Sequence, residues 1–280
     1  MKPSILVTGA LGFVGRQVVK SLAQSKVQLR LIVREGKVSD ARALIKNAEI
    51  ITTKDLFAES VEWWQNQCRD IDMVIHVAWY AEPWEYLYSP QNMDCLIGSL
   101  SLAKGAMLAG VKRFIGIGTC FEYDLTAGLL SVDTPIKPLT PYAASKAALY
   151  LSLSRILHKS SVEFAWCRLF YLFGEGEDSR RLVPYLHAKL GKGETAELTS
   201  GKQIRDFLDV SKAGKLITKV ALSNQCGPIN ICSGNPITVR QLAEKIADKY
   251  GKRHLLSFGL RPDNKVDPPC VIGVPNIEKT

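Results

Sequence analysis

The sequence lacks the residue spacing that a metal site needs. Its seven cysteines and four histidines are scattered along 280 residues, with no C-x-x-C pair and no two histidines close together in the sequence. We therefore predict no metal ion. Most of the thiols are expected to be small buried groups in a reducing compartment.

Long apolar runs are missing as well. The opening residues MKPSILVTGA hold about five consecutive apolar residues before the glycines begin, which is too short for a signal-peptide core or a membrane span. The sequence therefore predicts no membrane segment and a cytoplasmic protein.

The basic residues are not massed in one run, and aromatic residues are not interleaved with them. This pattern predicts no nucleic-acid partner. The formal net charge of +9 suits a small polyanionic ligand such as a dinucleotide or a nucleoside diphosphate, although an ordinary basic surface would carry the same charge.

Apolar strand-like runs alternate with amphipathic helical patterns from the start of the chain to Leu169. The runs are SILVTG, VQLRLIVR, AEIITT, DIDMVIHVA, RFIGIG and VEFAWCRL. This alternation predicts an α/β fold with a Rossmann-type, doubly wound parallel sheet. Beyond residue 169 glycine and proline become frequent, so we predict a dinucleotide-binding domain over 1–169, a smaller C-terminal substrate-binding lobe over 170–280, and interleaving of the two.

A glycine-rich segment, TGALGFVG, follows the first predicted strand and opens the first helix. Gly9, Gly12 and Gly15 allow a tight turn, a close approach of the backbone to a pyrophosphate, and close packing of helix on strand. The helix N-terminus, with Phe13 and Val14, adds N–H donors and the positive end of its dipole. This context predicts a dinucleotide site.

The end of the second strand bears on the choice of cofactor. NAD sites usually place an acidic residue there for the ribose 2′-hydroxyl, whereas this chain has Arg34, followed by Glu35. An arginine suits a 2′-phosphate, so we favour NADP(H), with NAD(H) as the alternative. Asp55 and Leu56 are predicted adenine contacts, although Asp55 also suits a helix N-cap.

The segment PYAASKAAL places Tyr142 and Lys146 four residues apart, on one face of a predicted helix. Tyrosine is a poor proton donor and acceptor at neutral pH unless a nearby cation stabilises its phenolate. Lys146 supplies that cation and also suits the nicotinamide ribose. The pair predicts hydride chemistry at a carbonyl group.

With these motifs the chain resembles the extended short-chain dehydrogenase/reductase superfamily, the NAD-dependent epimerase/dehydratase family, whose members act mostly on nucleotide sugars. Further motifs that carry the resemblance are VIHVAW, GTCFEYD, RLFYLFGEGED, RLVPYL, GKQIRDFLDV and INICSG. The resemblance implies that Thr119 is the catalytic hydroxyl and that Ala78 contacts the cofactor. It also implies a substrate site that includes Cys120, Val183, Arg205 and Arg261, with the two arginines on the nucleotide and the diphosphate.

Departures from the family pattern narrow the reaction. Family dehydratases carry Asp and Glu directly after the catalytic hydroxyl, where this chain has Cys120 and Phe121, so water elimination is not expected. The epimerase-reductases that resemble GDP-fucose synthase use a cysteine and a histidine, where this chain has Phe121 and Arg181. A 4-epimerase needs only the tyrosine and the hydroxyl, so that reaction stays open.

An aromatic segment, HVAWYAEPWEYLYSP, follows the fourth strand at the sheet edge where α/β proteins bind ligands. We predict that Trp79 and Tyr80 lie near the substrate, although most aromatic residues of such a segment are ordinary core or interface residues.

These observations predict an NAD(P)H-dependent 4-ketoreductase of a nucleotide-linked keto-deoxysugar, in surface-polysaccharide or similar glycan biosynthesis. A 4-epimerase with tightly bound NAD is the alternative, followed by a non-catalytic NADP(H) sensor; a reductase of a non-nucleotide carbonyl would leave two arginines without a purpose. By resemblance, the helices over about 89–110 and 142–158 form the four-helix bundle of a homodimer.

Overall fold

The computed structural model describes residues 2–263 and 268–278. The strands are β1 (Ser4–Thr8), β2 (Gln28–Arg34), β3 (Glu49–Thr53), β4 (Met73–His76), β5 (Arg113–Thr119), β6 (Leu129–Leu130), β7 (Glu163–Leu169), β8 (Tyr171–Phe173), β9 (Ala196–Leu198), β10 (Ile204–Asp209), β11 (Gly227–Ile231), β12 (Pro236–Thr238), β13 (Leu256–Phe258) and β14 (Cys270–Gly273). The helices are α1 (Phe13–Leu22), α2 (Val38–Leu44), α3 (Val61–Gln67), α4 (Gln91–Leu108), α5 (Pro141–Lys159), α6 (Leu182–Lys192), α7 (Val210–Ala221) and α8 (Val239–Asp248).

The large sheet has the strand order β11-β7-β5-β4-β1-β2-β3. Every pairing in it is parallel. The order reverses at β1, which places the carboxyl ends of β1 and β4 on either side of a crevice suited to a ligand. The predicted α/β fold with a Rossmann-type parallel sheet is confirmed.

Two apolar layers cover the faces of this sheet. One layer packs α1 and α7 against the strands through residues such as Val18, Ile217 and Val220. The other packs α3, α4 and α5 through Trp64, Leu102 and Leu153. Because both faces are buried, the strands carry nearly continuous apolar runs, and these runs are the pattern that predicts the parallel sheet.

The chain beyond residue 169 builds a smaller lobe and then returns to the large sheet. In the lobe, β10 pairs with β8, β12 and β14, and β14 pairs with β6. Helices α6 and α8 share an apolar cluster with β9 and β13. β11 then adds the strand beside β7, and α7 packs on α1, so residues 210–231 return to the large sheet.

The part of the chain that the structure describes contains no helix long and apolar enough to cross a membrane.

Candidate active site

The loop after β5 and the first turns of α5 bring the predicted catalytic residues together. Thr140 caps α5 by accepting the Ala143 N–H at 3.2 Å, and Pro141 fits the first helical position. Tyr142 therefore stands at the start of the helix, with Lys146 one turn further on. The Thr119 side chain lies close enough to Tyr142 to lower the pKa of its phenol.

Lys146 is almost fully buried, with 3% of its surface exposed. Its Nζ donates a hydrogen bond to the Ile117 carbonyl at 2.7 Å and lies 3.8 Å from the centre of the Trp79 ring. Burial lowers the pKa of Lys146 to about 7, against the opposing charge of Glu122. The amine therefore changes protonation state in the physiological range.

Tyr142 is partly buried. Burial raises the pKa of its phenol, Tyr86 and Glu122 raise it further, and the hydrogen bond with Thr119 lowers it. The protonated phenol is thus the stable form in this pocket, which suits a group that donates a proton.

Aromatic side chains form one wall of this pocket. The Trp79 ring contacts Lys146 and meets the edge of Tyr142, with ring centres 6.4 Å apart, while its Nε1 donates to Asn92 at 2.8 Å. Tyr86 meets Tyr142 in a T-shaped contact at 4.9 Å. Tyr80 instead donates to Glu85 at 2.6 Å, within its own segment.

The glycine loop has the backbone geometry that a phosphate site requires. Gly9 has φ +68°, and a Cβ there would lie 2.6 Å from the Ala78 nitrogen. A Cβ on Gly15 would overlap the Gly9 carbonyl oxygen. Gly12 occupies the N-cap of α1 without a side-chain cap, so the backbone N–H groups of Phe13 and its neighbours face the loop rather than a capping side chain.

The residues predicted at the adenosine end lie at the carboxyl ends of β2 and β3. Arg34 is exposed and opposite Thr53 in the strand register. The Asp55 carboxylate accepts the Phe57 N–H at 3.0 Å, while α3 starts later, at Val61, with Ser60 as its cap. Asp55 therefore stabilises a local turn and not a helix N-terminus, and the partly buried Leu56 packs beside it against the α3–α4 layer.

In the GTCFEYD segment, the Thr119 hydroxyl and the Glu122 carboxylate lie in different environments. Cys120 is 2% exposed in an apolar cluster, and burial raises the pKa of its thiol, so a thiolate nucleophile is disfavoured. Phe121 packs at the edge of the same cluster. Glu122 is fully buried and pairs with Arg168, whose Nε lies 2.7 Å from Oε2, which holds its carboxylate in the interior.

The predicted substrate residues of the C-terminal lobe fall into two environments. Arg205 is 2% exposed. It donates a hydrogen bond to the carbonyl of the preceding residue, Ile204, at 2.9 Å and lies over the Tyr171 ring. Arg261 is exposed and both stacks on Tyr185 and donates to its hydroxyl at 3.1 Å.

Val183 on α6 belongs to the apolar cluster that α6 shares with α8. It lines a cavity of about 580 Å³ whose walls include His187, Leu242 and Lys245. This cavity lies within the lobe and contains none of the catalytic trio among its lining residues.

Two contacts between the lobes were not predicted. Arg180 pairs with Glu82 at 2.6 Å, and Arg181 lies 5.7 Å from the centre of the Tyr86 ring. They join the loop before α6 to the aromatic segment after β4. The two residues of the ion pair lie 98 positions apart in the sequence, so no local pattern predicts their contact. The one sequence signal for it was the high aromatic content of the segment after β4.

Across the described ranges no group of three or more His, Cys, Asp or Glu side chains has the arrangement of a metal site.

Residues 5–232 match the family model described as NAD dependent epimerase/dehydratase family. The chain belongs to this family. The predicted resemblance is therefore confirmed.

Within this family, the chain is similar to a dTDP-6-deoxy-L-talose 4-dehydrogenase (NAD(+)) of Aggregatibacter actinomycetemcomitans. The two are 24% identical over 272 residues, which cover 96% of this chain and 99% of that protein. A dTDP-6-deoxy-L-talose 4-dehydrogenase (NAD(P)(+)) of Kitasatospora kifunensis is 26% identical over 159 residues, 52% of this chain and 49% of that protein.

Solved structures of family members share the fold. A UDP-N-acetylglucosamine 4-epimerase of Methanobrevibacter ruminantium M1, in complex with UDP-N-acetylmuramic acid, is 24% identical with a TM-score of 0.84 over 98% of this chain and 90% of that one. A dTDP-glucose 4,6-dehydratase of Streptomyces venezuelae with NAD bound is 20% identical with a TM-score of 0.81, over 97% and 88%.

Proposed function

We propose that this protein reduces the 4-keto group of a nucleotide-linked keto-deoxysugar with NAD(P)H, in the synthesis of a surface polysaccharide or a similar glycan. The observation that carries the proposal is that the Thr119 side chain lies beside Tyr142, whereas the three residues that follow Thr119 are held elsewhere. Cys120 and Phe121 pack in an apolar cluster, and Glu122 is held by Arg168. Such a site polarises and protonates a carbonyl oxygen and is not equipped to eliminate water.

The residues of the glycine loop fit a dinucleotide. A Cβ at Gly9 would meet Ala78, and the N-terminus of α1 has no capping side chain. Gly9, Gly12, Phe13, Val14 and Gly15 would hold the pyrophosphate, and Ala78, Tyr142 and Lys146 would adjoin the nicotinamide end. When bound, the reduced nicotinamide supplies a hydride to the carbonyl carbon.

Each protein group then has a defined task. Tyr142 donates its phenolic proton to the oxygen on which negative charge develops. Thr119 donates a hydrogen bond to the same oxygen and stabilises that charge. Lys146, when protonated, stabilises the phenolate that remains and holds the ribose. Trp79 contacts both Tyr142 and Lys146, which supports its predicted place beside the substrate.

We assign the nucleotide-sugar substrate mainly to the C-terminal lobe. Arg205 and Arg261 are proposed to bind the nucleotide and the diphosphate, because guanidinium groups bind phosphate oxygens in a bidentate manner. Val183, Cys120 and Tyr80 remain predicted neighbours. A relative named as a 4-dehydrogenase that matches along nearly its entire length supports a 4-keto group as the reacting centre.

The choice between the two cofactors rests on Arg34. Its exposed position at the end of β2 supports a contact with a 2′-phosphate and hence NADP(H). The relatives are named for NAD(+) in one case and for NAD(P)(+) in the other, so NAD(H) stays as the alternative.

We also propose a homodimer through α4 and α5. Met93, Ile97 and Leu108 on α4 and Leu151 on α5 are each more than half exposed. Large apolar side chains at such density on two adjacent helices support a covered surface.

The test is a panel of 4-keto-6-deoxysugars linked to GDP, CDP, dTDP and UDP, with oxidation of NADPH and NADH followed by absorbance. We expect turnover with at least one substrate, and a loss of about 10²–10⁴-fold in kcat for Tyr142→Phe. No turnover together with tight dinucleotide binding would support the sensor instead. Redox-neutral interconversion of 4-hydroxyl epimers, with NAD retained through purification, would support the 4-epimerase.

A further inference from the structure

A fully buried carboxylate lies directly behind the catalytic hydroxyl, and the proposed reaction does not use it. Glu122 is 0% exposed. Its Oε1 accepts the Thr119 N–H at 2.8 Å, its Oε2 accepts Arg168 Nε at 2.7 Å, and both oxygens accept the Trp166 indole N–H at 3.0–3.1 Å. Burial raises the pKa of Glu122, and the charge of Arg168 and the hydrogen bonds from Arg168, Thr119 and Trp166 lower it. These partners are all donors, which is the environment that stabilises an ionised carboxylate.

Glu122 fixes the backbone from which the hydroxyl projects. Its carboxylate binds the Thr119 N–H, while the Thr119 Oγ1 accepts the Phe121 N–H at 3.3 Å. The two bonds form a reciprocal capping box over residues 119–122. They hold both the backbone N–H and the hydroxyl oxygen of Thr119 within the loop that contacts α5.

Arg168 connects this loop to the catalytic helix. Its guanidinium stacks on Tyr123, 4.4 Å from the ring centre, and on Tyr150, at 4.5 Å. Tyr150 lies about two turns after Tyr142 on α5. The ion pair is therefore in contact with the two elements that carry the trio. A buried pair of this kind contributes little net stability compared with apolar packing, so its contacts suggest a different role.

The charge of Glu122 also acts on Lys146. Several groups face the amine: Cys95 from α4, the neutral His76 from β4, and Glu122 from the loop after β5. Burial lowers the pKa of Lys146, and Glu122 is the largest influence that raises it. Without the carboxylate the ammonium would be harder to maintain at neutral pH.

We infer that Glu122 and Arg168 form a positioning pair, which holds Thr119 and its hydroxyl group in place beside the catalytic helix. The pair does not touch the substrate and acts through Thr119. This inference rests on the proposed reductase function, and it extends that function to two residues outside the predicted catalytic and substrate-binding sets.

The test compares Glu122→Gln with Tyr123→Phe. Tyr123 belongs to the same buried network. Its hydroxyl accepts a hydrogen bond from Arg168 Nη1 at 2.9 Å and donates one to Asn230 at 2.8 Å, and neither bond involves Thr119. Both variants are expected to lower Tm. Glu122→Gln should lower kcat by about 10- to 100-fold with KM changed less than about threefold, whereas Tyr123→Phe should leave kcat within about twofold of wild type.

A pH profile separates positioning from general loosening of the fold. Reduction needs protonated Lys146, so kcat falls as the pH rises through its pKa. In Glu122→Gln the alkaline limb should move about 0.5–1 unit towards lower pH, and in Tyr123→Phe it should not move. Wild-type kcat and an unshifted limb in Glu122→Gln would overturn the inference.

A second measurement needs no turnover. Amide hydrogen exchange of Thr119 should be at least about tenfold faster in Glu122→Ala than in wild type, because its acceptor is lost, and unchanged in Tyr123→Phe. If the wild type reduces no substrate, the proposed function fails, and this exchange rate still decides whether Glu122 holds Thr119. Unchanged exchange in Glu122→Ala would overturn the positioning role.

Discussion

The two halves of the candidate site are held in place by different means. In the half built on the large sheet, Lys146 and Glu122 are buried and bonded to backbone groups and to other buried side chains. In the half proposed for the C-terminal lobe, Arg261 is exposed and is held by the Tyr185 ring, and the exposed Arg180 is held by surface ion pairs. Arg205 is the buried exception in this half.

Buried, fully bonded groups are pre-organised, so substitutions there are expected to lower kcat. Exposed pairs are worth little and adjust easily, so substitutions in the lobe are expected to act mainly on KM. The following predictions test this contrast, in order of decreasing effect.

Lys146→Met should lower kcat by about 10²–10⁴-fold, because it removes the cation beside Tyr142, and it should weaken dinucleotide binding. Steady-state kinetics and quenching of protein fluorescence by NADPH measure the two effects. Retention of more than a tenth of the wild-type kcat would contradict the assignment of Lys146.

The same variant should also change how stability depends on pH. Burial lowers the pKa of Lys146 from 10.5 to about 7, so between these values the unfolded chain binds more protons, and the free energy of unfolding rises with pH. Lys146→Met lacks this gain. Its Tm relative to wild type should therefore be highest near pH 6 and fall towards pH 10, and a constant difference would argue against a lowered pKa of the buried amine.

Arg261→Ala should raise KM for the nucleotide sugar by about tenfold or more, since a charge-assisted hydrogen bond to phosphate is lost. Because Arg261 is exposed, kcat and Tm should stay near wild type. Arg253→Ala is the matched control: this arginine is exposed in the same lobe and pairs with Asp248. Equal effects of the two substitutions on KM would remove Arg261 from the site.

Arg34→Ala should reduce the preference for NADPH over NADH by about tenfold, with KM for NADH little changed, because one cation facing the 2′-phosphate is lost. Lys37→Ala serves as the control, since Lys37 is also exposed and pairs with Asp40 at 3.0 Å. An unchanged cofactor ratio would remove Arg34 from the choice of cofactor and would favour Glu35, the next residue, as the group that binds the ribose 2′-hydroxyl.

Ile97→Glu should have the smallest effect on kcat but should convert a dimer into a monomer, since it places a charge in the apolar face of α4. Light scattering after size exclusion measures the mass. Leu222→Glu, at an exposed apolar position just after α7, should leave the mass unchanged.

Much of the sheet half could be predicted from sequence because its signals are local. Gly9, Gly12 and Gly15 lie within seven residues, and Tyr142 and Lys146 share one helical turn, so spacing alone placed them. The pairing of Glu122 with Arg168 spans 46 residues and depends on the alignment of β5 with β7, which no local pattern encodes.

The lobe half was less predictable for the same reason. The environments of Arg205 and Arg261 depend on Tyr171 and Tyr185, which reach them only after β8, β10 and α6 have assembled.

The local turn made by Asp55 was also not resolved beforehand, because an aspartate in that position suits a turn and a helix N-cap equally.

The late return of the chain to the large sheet constrains how the protein can be made. Until residue 231 has emerged from the ribosome, β7 presents an open edge, and the face of α1 that α7 covers is exposed to solvent. The first 169 residues are therefore expected to be prone to aggregation by themselves, although they carry nearly all of the cofactor motifs. Release of the chain before β11 is complete would yield a sheet that pairs with other copies instead of with its own last strand.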